Sequence, residues 1–88
     1  MNINLTKIGN TNLSDHPNSI IQFRVTYPTG KKQLHEEFYE SYGLAETKFE
    51  HLREEGVDDI NLYLALLTDT NYLIDQELIV NYTYHEEE

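Results

Sequence analysis

The sequence predicts an α+β fold: a small antiparallel meander of four to five strands with one helix, about residues 44–55, packed on a face. Three observations carry that reading. Residues 21–27 alternate apolar and polar side chains, the period of a half-buried strand. Residues 44–55 place Ala45, Phe49 and Leu52 at i, i+4 and i+7, the spacing of a helix with one inward stripe. Two later stretches, 60–66 and 77–84, are rich in leucine, isoleucine, valine and tyrosine and read as strands. With 88 residues and 39% apolar side chains, the chain is expected to fold as a single domain, 1–88, around one modest core.

Taken in order, Ile3, Leu5 and Ile8 suggest a short strand ending at Gly9, and the turn formers of residues 10–18 suggest a loop. Ile21, Phe23, Val25 and Tyr27 alternate with Gln22, Arg24 and Thr26. Pro28-Thr29-Gly30 then supplies a fixed φ followed by a residue free to take a positive one, so a hairpin is expected here. The returning strand would run from Lys31 to Tyr39.

Its register has two readings. A three-residue loop pairs Tyr27 with Lys31 and sets Leu34 and Phe38 opposite the polar face of the first strand. A four-residue loop pairs Val25 with Leu34 and Ile21 with Phe38, at the cost of seating Glu36 on the apolar face. The second, or a bulge near Glu36, is favoured, because one misplaced charge costs less than two stranded apolar side chains.

Ser41 can cap a helix beginning near Leu44, and Gly56 stands where a left-handed residue would end it. Ile60, Leu62, Leu64 and Leu66 alternate as a strand would, although Asp58-Asp59 would equally suit a capped helix; strand is preferred. Thr68 to Asn71 reads as a turn.

Composition narrows the function classes. The chain has no cysteine, hence no disulfide framework and no thiolate metal site. It lacks both an apolar run of about 18 residues and a basic-then-apolar leader, so a cytoplasmic protein is expected. The formal charge of −10 is unevenly distributed. Residues 1–35 carry a net +3, and residues 36–88 carry fifteen acids against two bases, a net −13. Nine of those acids fall between Glu36 and Asp59: Glu36, Glu37, Glu40, Glu46, Glu50, Glu54, Glu55, Asp58 and Asp59. Another three, Glu86, Glu87 and Glu88, close the chain. Such a field repels nucleic acid and anionic membranes and steers basic partners inward.

No reaction is named by the residues. His16, His35, His51 and His85 show no metal-binding spacing, and Asp69, Asn71 and Asp75 lack the glycine and glutamate of a calcium loop. There is no phosphate-binding glycine loop and no nucleophile elbow. The expectation is a non-enzyme without metal or cofactor.

The acids themselves repay a physical test. On a helix, Glu46, Glu50 and Glu54 form a row roughly 6 Å apart along one face. Like charges at that spacing cost about 0.2–0.5 kcal/mol per pair. Glu54, Glu55, Asp58 and Asp59 also crowd the helix C-terminus, where the macrodipole disfavours them. One account is imitation: carboxylates near phosphate spacing can occupy the basic groove of a DNA-binding protein, with Tyr39, Tyr42 and Tyr63 adding rigid contact area. The plainer account is a solvated acidic face that keeps a small protein in solution.

The stretch from Gln22 to Glu55, with Gly30-Lys31 at its turn and GLAETKFEHL opening its helix, resembles the small acidic DNA-mimic inhibitors of bacteriophages. These act on host uracil-DNA glycosylase, on restriction or CRISPR nucleases, or on the histone-like nucleoid protein HU. The likeness is to the strand–turn–strand–helix of a short phage uracil-DNA glycosylase inhibitor. It covers about a third of the chain, and no target or contact residue is carried over. It implies a protein that binds a basic host DNA-binding protein through Glu36–Asp59 in competition with DNA. The rival is an assembly or antitoxin-like module, a homodimer joined through an edge strand, with Tyr82 and Tyr84 as anchors and acidity serving only solubility.

Overall fold

The computed structural model describes residues 5–30 and 33–84. Its elements are β1 (Lys7–Ile8), β2 (Thr11–Asn12), a 3-10 turn (Leu13–Asp15), β3 (Ile20–Thr29), β4 (Gln33–Tyr39), α1 (Tyr42–Glu54), β5 (Ile60–Leu67) and β6 (Leu73–Tyr82). They form a two-stranded sheet, β1-β2, and a four-stranded antiparallel sheet in the order β4-β3-β5-β6. The expected α+β architecture of an antiparallel sheet with one helix on a face is present. The expected meander is corrected: β5 does not pair with β4 and returns instead to pair with β3. Because β4 and β5 both pair antiparallel to β3, they run parallel to each other, and α1 carries the chain across β3 from one to the other.

The helix forms where its signals predict. Ser41 is the N-cap, its side chain accepting a hydrogen bond from Leu44 N at 3.2 Å, so the helix begins at Tyr42 rather than near Leu44. At the other end Gly56 takes φ +84°. Gly56 N donates to Arg53 O and Val57 N donates to Leu52 O, the paired bonds of a Schellman ending. Ala45, Phe49 and Leu52 are buried against Val25, Ile60 and Leu62, and Phe23, Tyr27, Tyr39, Val57 and Tyr82 pack around them.

The hairpin register differs from both readings of the sequence. Val25 pairs with Glu37, Arg24 with Phe38, Pro28 with Leu34 and Thr29 with Gln33, so β3 continues through Pro28 and Thr29. The favoured pairing of Val25 with Leu34 and Ile21 with Phe38 is therefore corrected. Pro28 is tolerated because pairing of β3 with β5 has already ended at Thr26–Asn61. The charge that reaches the helix face is Glu37, not Glu36, and it is not stranded: it lies 3.5 Å from Lys48 Nζ and accepts from Tyr39 Oη at 3.2 Å. Leu34 and Phe38 go to the opposite face with Glu36. Lys31 and Lys32 lie outside the described residues.

Ile60–Leu67 is a strand. β6 starts earlier than expected, at Leu73, and its pairing with β5 is interrupted by irregularities at Ile79 and Ile74. The turn between them is held by Thr68, whose N donates to Tyr72 O, with Asn71 at φ +69°. Residues 10–18, expected as loop, contain β2 and the 3-10 turn. The reason lies far away in sequence: the Asp75 carboxylate accepts from Asn10 N at 3.1 Å and Thr11 Oγ1 at 2.7 Å. Gly9 turns β1 into β2 at φ +60°, and Ile8 is fully buried. Of the opening strand suggested by Ile3, Leu5 and Ile8, Ile3 falls outside the described residues.

Candidate functional site

Register decides where each acid points. Glu36 and Glu37 are neighbours in a strand, so they face opposite sides of the sheet. Glu36 lies on the side away from α1, where its carboxylate accepts from Arg24 Nε at 2.8 Å and sits 2.7 Å from Nη2. Arg24 also donates from Nη1 to Gln76 Oε1 at 2.9 Å, and its guanidinium lies 5.6 Å from the Tyr63 ring centre. Glu37 stays on the helix side with Lys48, whose ammonium lies 5.4 Å from the Tyr27 ring centre. Burial pulls the Lys48 pKa down, but Glu37 together with Tyr27 and Tyr39 outweighs this and holds the ammonium above its ordinary value. Burial first, then Glu37, raises the Tyr39 hydroxyl.

The remaining seven acids follow the helix and its two ends. Glu40 is exposed in the turn before Ser41. Glu46 stands on α1 beside Tyr42, whose hydroxyl it pushes above the usual tyrosine range. Glu50 forms an ion pair with Arg53, and Arg53 in turn lies over the Tyr82 ring. Glu54 and Glu55 are exposed at the C-terminal turn, where Arg53 offsets part of the charge.

Asp58 and Asp59 have structural duties. Asp58 Oδ1 accepts from Asp59 N and from Tyr84 N, tying the entry of β5 to the end of β6. Asp59 takes φ +59°, and its carboxylate accepts a long bond from Asn81 Nδ2. The structure thus gathers Glu40, Glu46, Glu50, Glu54 and Glu55 along one helix and its flanks, and sends Glu36 to the opposite face. Glu86, Glu87 and Glu88 lie outside the described residues.

Other candidates fall as follows. Tyr82 is half-buried against the helix core and Tyr84 is exposed. His35 packs on Tyr27 with ring centres 5.1 Å apart, His51 is exposed, and His85 lies outside the described residues. Among the described residues no three histidines or carboxylates converge as metal ligands. Sequence reading missed a cleft of about 240 Å³ lined by Asp15, His16, Pro17, Asn18, Ser19, Thr68, Asp69 and Ile74. It also missed the Arg24 network; that signal was present, since Arg24 lies on the polar phase of β3, but only the true register shows that Glu36 flanks it.

Among the described residues no helix is long and apolar enough to cross a membrane. No family model matches the chain, and neither a curated protein nor a solved structure matches it.

Proposed function

We propose that this chain is a phage-type DNA mimic that inhibits a basic host DNA-binding protein, a nucleoid protein, nuclease or repair enzyme, by occupying its DNA-binding surface. The observation that supports the reading is the placement of Glu46, Glu50 and Glu54 on successive turns of a helix whose inner stripe is locked in the core. Rigidity matters because a charge row that need not be ordered on binding loses less entropy. Glu40 before the helix and Glu55 after it add exposed negative charge at its two ends. Over roughly 12 Å of helix the three carboxylates present repeated acceptors to Lys and Arg side chains arranged for phosphates.

Arg53 tempers Glu50 only in part, since an exposed ion pair contributes about 0–1 kcal/mol and is easily exchanged for a partner's arginine. Tyr42, partly exposed at the start of the row, adds an aromatic edge. With a net charge of −10 the chain is not itself a nucleic-acid binder.

The test is a pull-down from bacterial lysate with tagged protein, eluted by a salt step and identified by mass spectrometry, followed by competition with duplex DNA. A basic DNA-binding protein displaced by DNA is the expected result. Its release should be strongly salt-dependent, because charge pairs weaken as the screening length shortens. The variant E46Q/E50Q/E54Q should lose the partner while keeping its fold. Unchanged binding by that variant, or a partner indifferent to DNA and salt, overturns the proposal.

A further inference from the structure

The four-stranded sheet has two faces with opposite character. On the helix side the strands and α1 carry Glu37, Glu46, Glu50, Glu54, Asp75 and Glu77. On the other, the pairing places Phe38, Arg24, Tyr63 and Leu78 side by side in a single row across all four strands. Leu34 lies further along the same face of β4, separated from Phe38 by Glu36. These apolar side chains are open: Leu34 is 62% exposed, Leu78 51% and Phe38 38%. Among the described strand residues, the charged side chains on this face are Arg24 and Glu36, and they neutralise each other. A chain of charge −10 therefore has one broad surface whose Arg24 and Glu36 cancel, with exposed apolar side chains on both edge strands.

We infer that this open sheet face is a homodimer interface, closed by the same face of a second copy. Symmetry favours the second copy over an unrelated occupant. A two-fold axis parallel to the strands, passing between the facing sheets, turns the row onto its own reverse. Phe38 then meets Leu78 of the second copy, and Arg24 meets Tyr63 of the second copy, so the surface is complementary to itself. Arg24 already sits over its own Tyr63, with the Arg24 side chain only 14% exposed and bonded to Glu36 and Gln76; little further desolvation is required of it.

Charge supports the same choice. Packed sheets stand about 10 Å apart. With a helix layer about 10 Å behind each, the acidic rows of the two copies lie roughly 30 Å from one another, beyond three screening lengths at physiological salt. Size is compatible as well: four strands about 4.8 Å apart and a seven-residue β4 make a face of roughly 19 by 23 Å in projection. Side-chain relief adds to that footprint, towards the roughly 600–1,000 Å² per partner of stable interfaces. The edges are poorer sites, since β6 is irregular at Ile74 and Ile79 and β4 carries Glu36 and Glu37.

Sedimentation velocity on the full chain, at low and high salt, tests this. A dimer is expected at micromolar concentrations, no weaker at high salt. L34E and L78E, each made separately at an exposed position, should weaken the dimer roughly 100-fold or more, because each change enters the interface twice. Far-UV circular dichroism and a thermal melt confirm that each variant is folded. E46Q/E50Q/E54Q should remain dimeric. A monomeric parent chain, or a dimer that survives both L34E and L78E, overturns the inference. Loss of the dimer in the helix variant overturns it too, whereas loss of a basic partner there bears only on the proposed function.

Discussion

The Asp75 carboxylate fills the space a side chain at residue 9 would need: a Cβ built on Gly9 would lie 2.6 Å from Asp75 Oδ1. Gly9 also holds φ +60°, so two independent constraints exclude larger residues. G9A should therefore cost about 1–3 kcal/mol. Urea denaturation would read this, together with loss of amide protection at Asn10. An unchanged midpoint would mean that β1–β2 is not held to β6 as described.

Asp75 itself gives a pH prediction. The Thr11 hydroxyl, then the Gln76 and Asn10 amides, hold its pKa below the ordinary aspartate value. A carboxyl whose folded pKa is depressed contributes stability above its unfolded pKa and loses it as pH falls through the folded one. The stability difference between parent and D75N should thus be constant near neutrality and shrink below the usual aspartate range. Paired urea titrations across the acid range would measure it; a difference flat down to the most acid condition would contradict the assignment.

The carboxylate row on α1 should cost stability rather than supply it. Glu46 with Glu50, and Glu50 with Glu54, are like-charge pairs each worth about 0.2–0.5 kcal/mol of destabilisation. Against this, E46Q/E50Q/E54Q also removes the Glu50–Arg53 ion pair. The net expectation is a chain as stable as the parent or up to roughly 1 kcal/mol more so. Chemical denaturation at low salt is the measurement. Marked destabilisation would assign the row a folding role instead of a binding one.

Asp58 is expected to behave as a clamp and not as part of the acidic surface. D58A removes the acceptor shared by Asp59 N and Tyr84 N, at a cost of about 1–2 kcal/mol. Hydrogen exchange at Tyr84 should accelerate while amides in the middle of β5 keep their protection. Loss of protection throughout the sheet would show a wider role for Asp58.

Elements whose information is local were readable before the fold. The alternation of Ile21 to Tyr27, the Ala45–Phe49–Leu52 stripe and the Ser41 and Gly56 ends each state their own structure within a few residues. What was not readable depends on distant partners. Glu37 can sit on the helix face only because Lys48 and Tyr39 meet it there, and no strand pattern contains that fact. Likewise the β1–β2 turn owes its order to Asp75, about three-quarters of the chain away. The acids were countable from the sequence, but their pairing was not. The three-residue loop gives the observed facing of Leu34 and Phe38 with partners four residues off, and the favoured four-residue loop gives the opposite facing.

The crossover of α1 also bears on how the chain folds. The β3–β4 and β5–β6 hairpins pair residues close in sequence. The sheet exists only once β3 zips onto β5, a ladder that joins Ile20 to Leu67 and closes a loop containing β4 and the whole acidic helix. Closing that loop is the slow, non-local event, and it draws the carboxylates between Glu36 and Asp59 together. Added salt should therefore speed refolding, so the ionic conditions expected to release the proposed basic partner are those under which the chain assembles fastest.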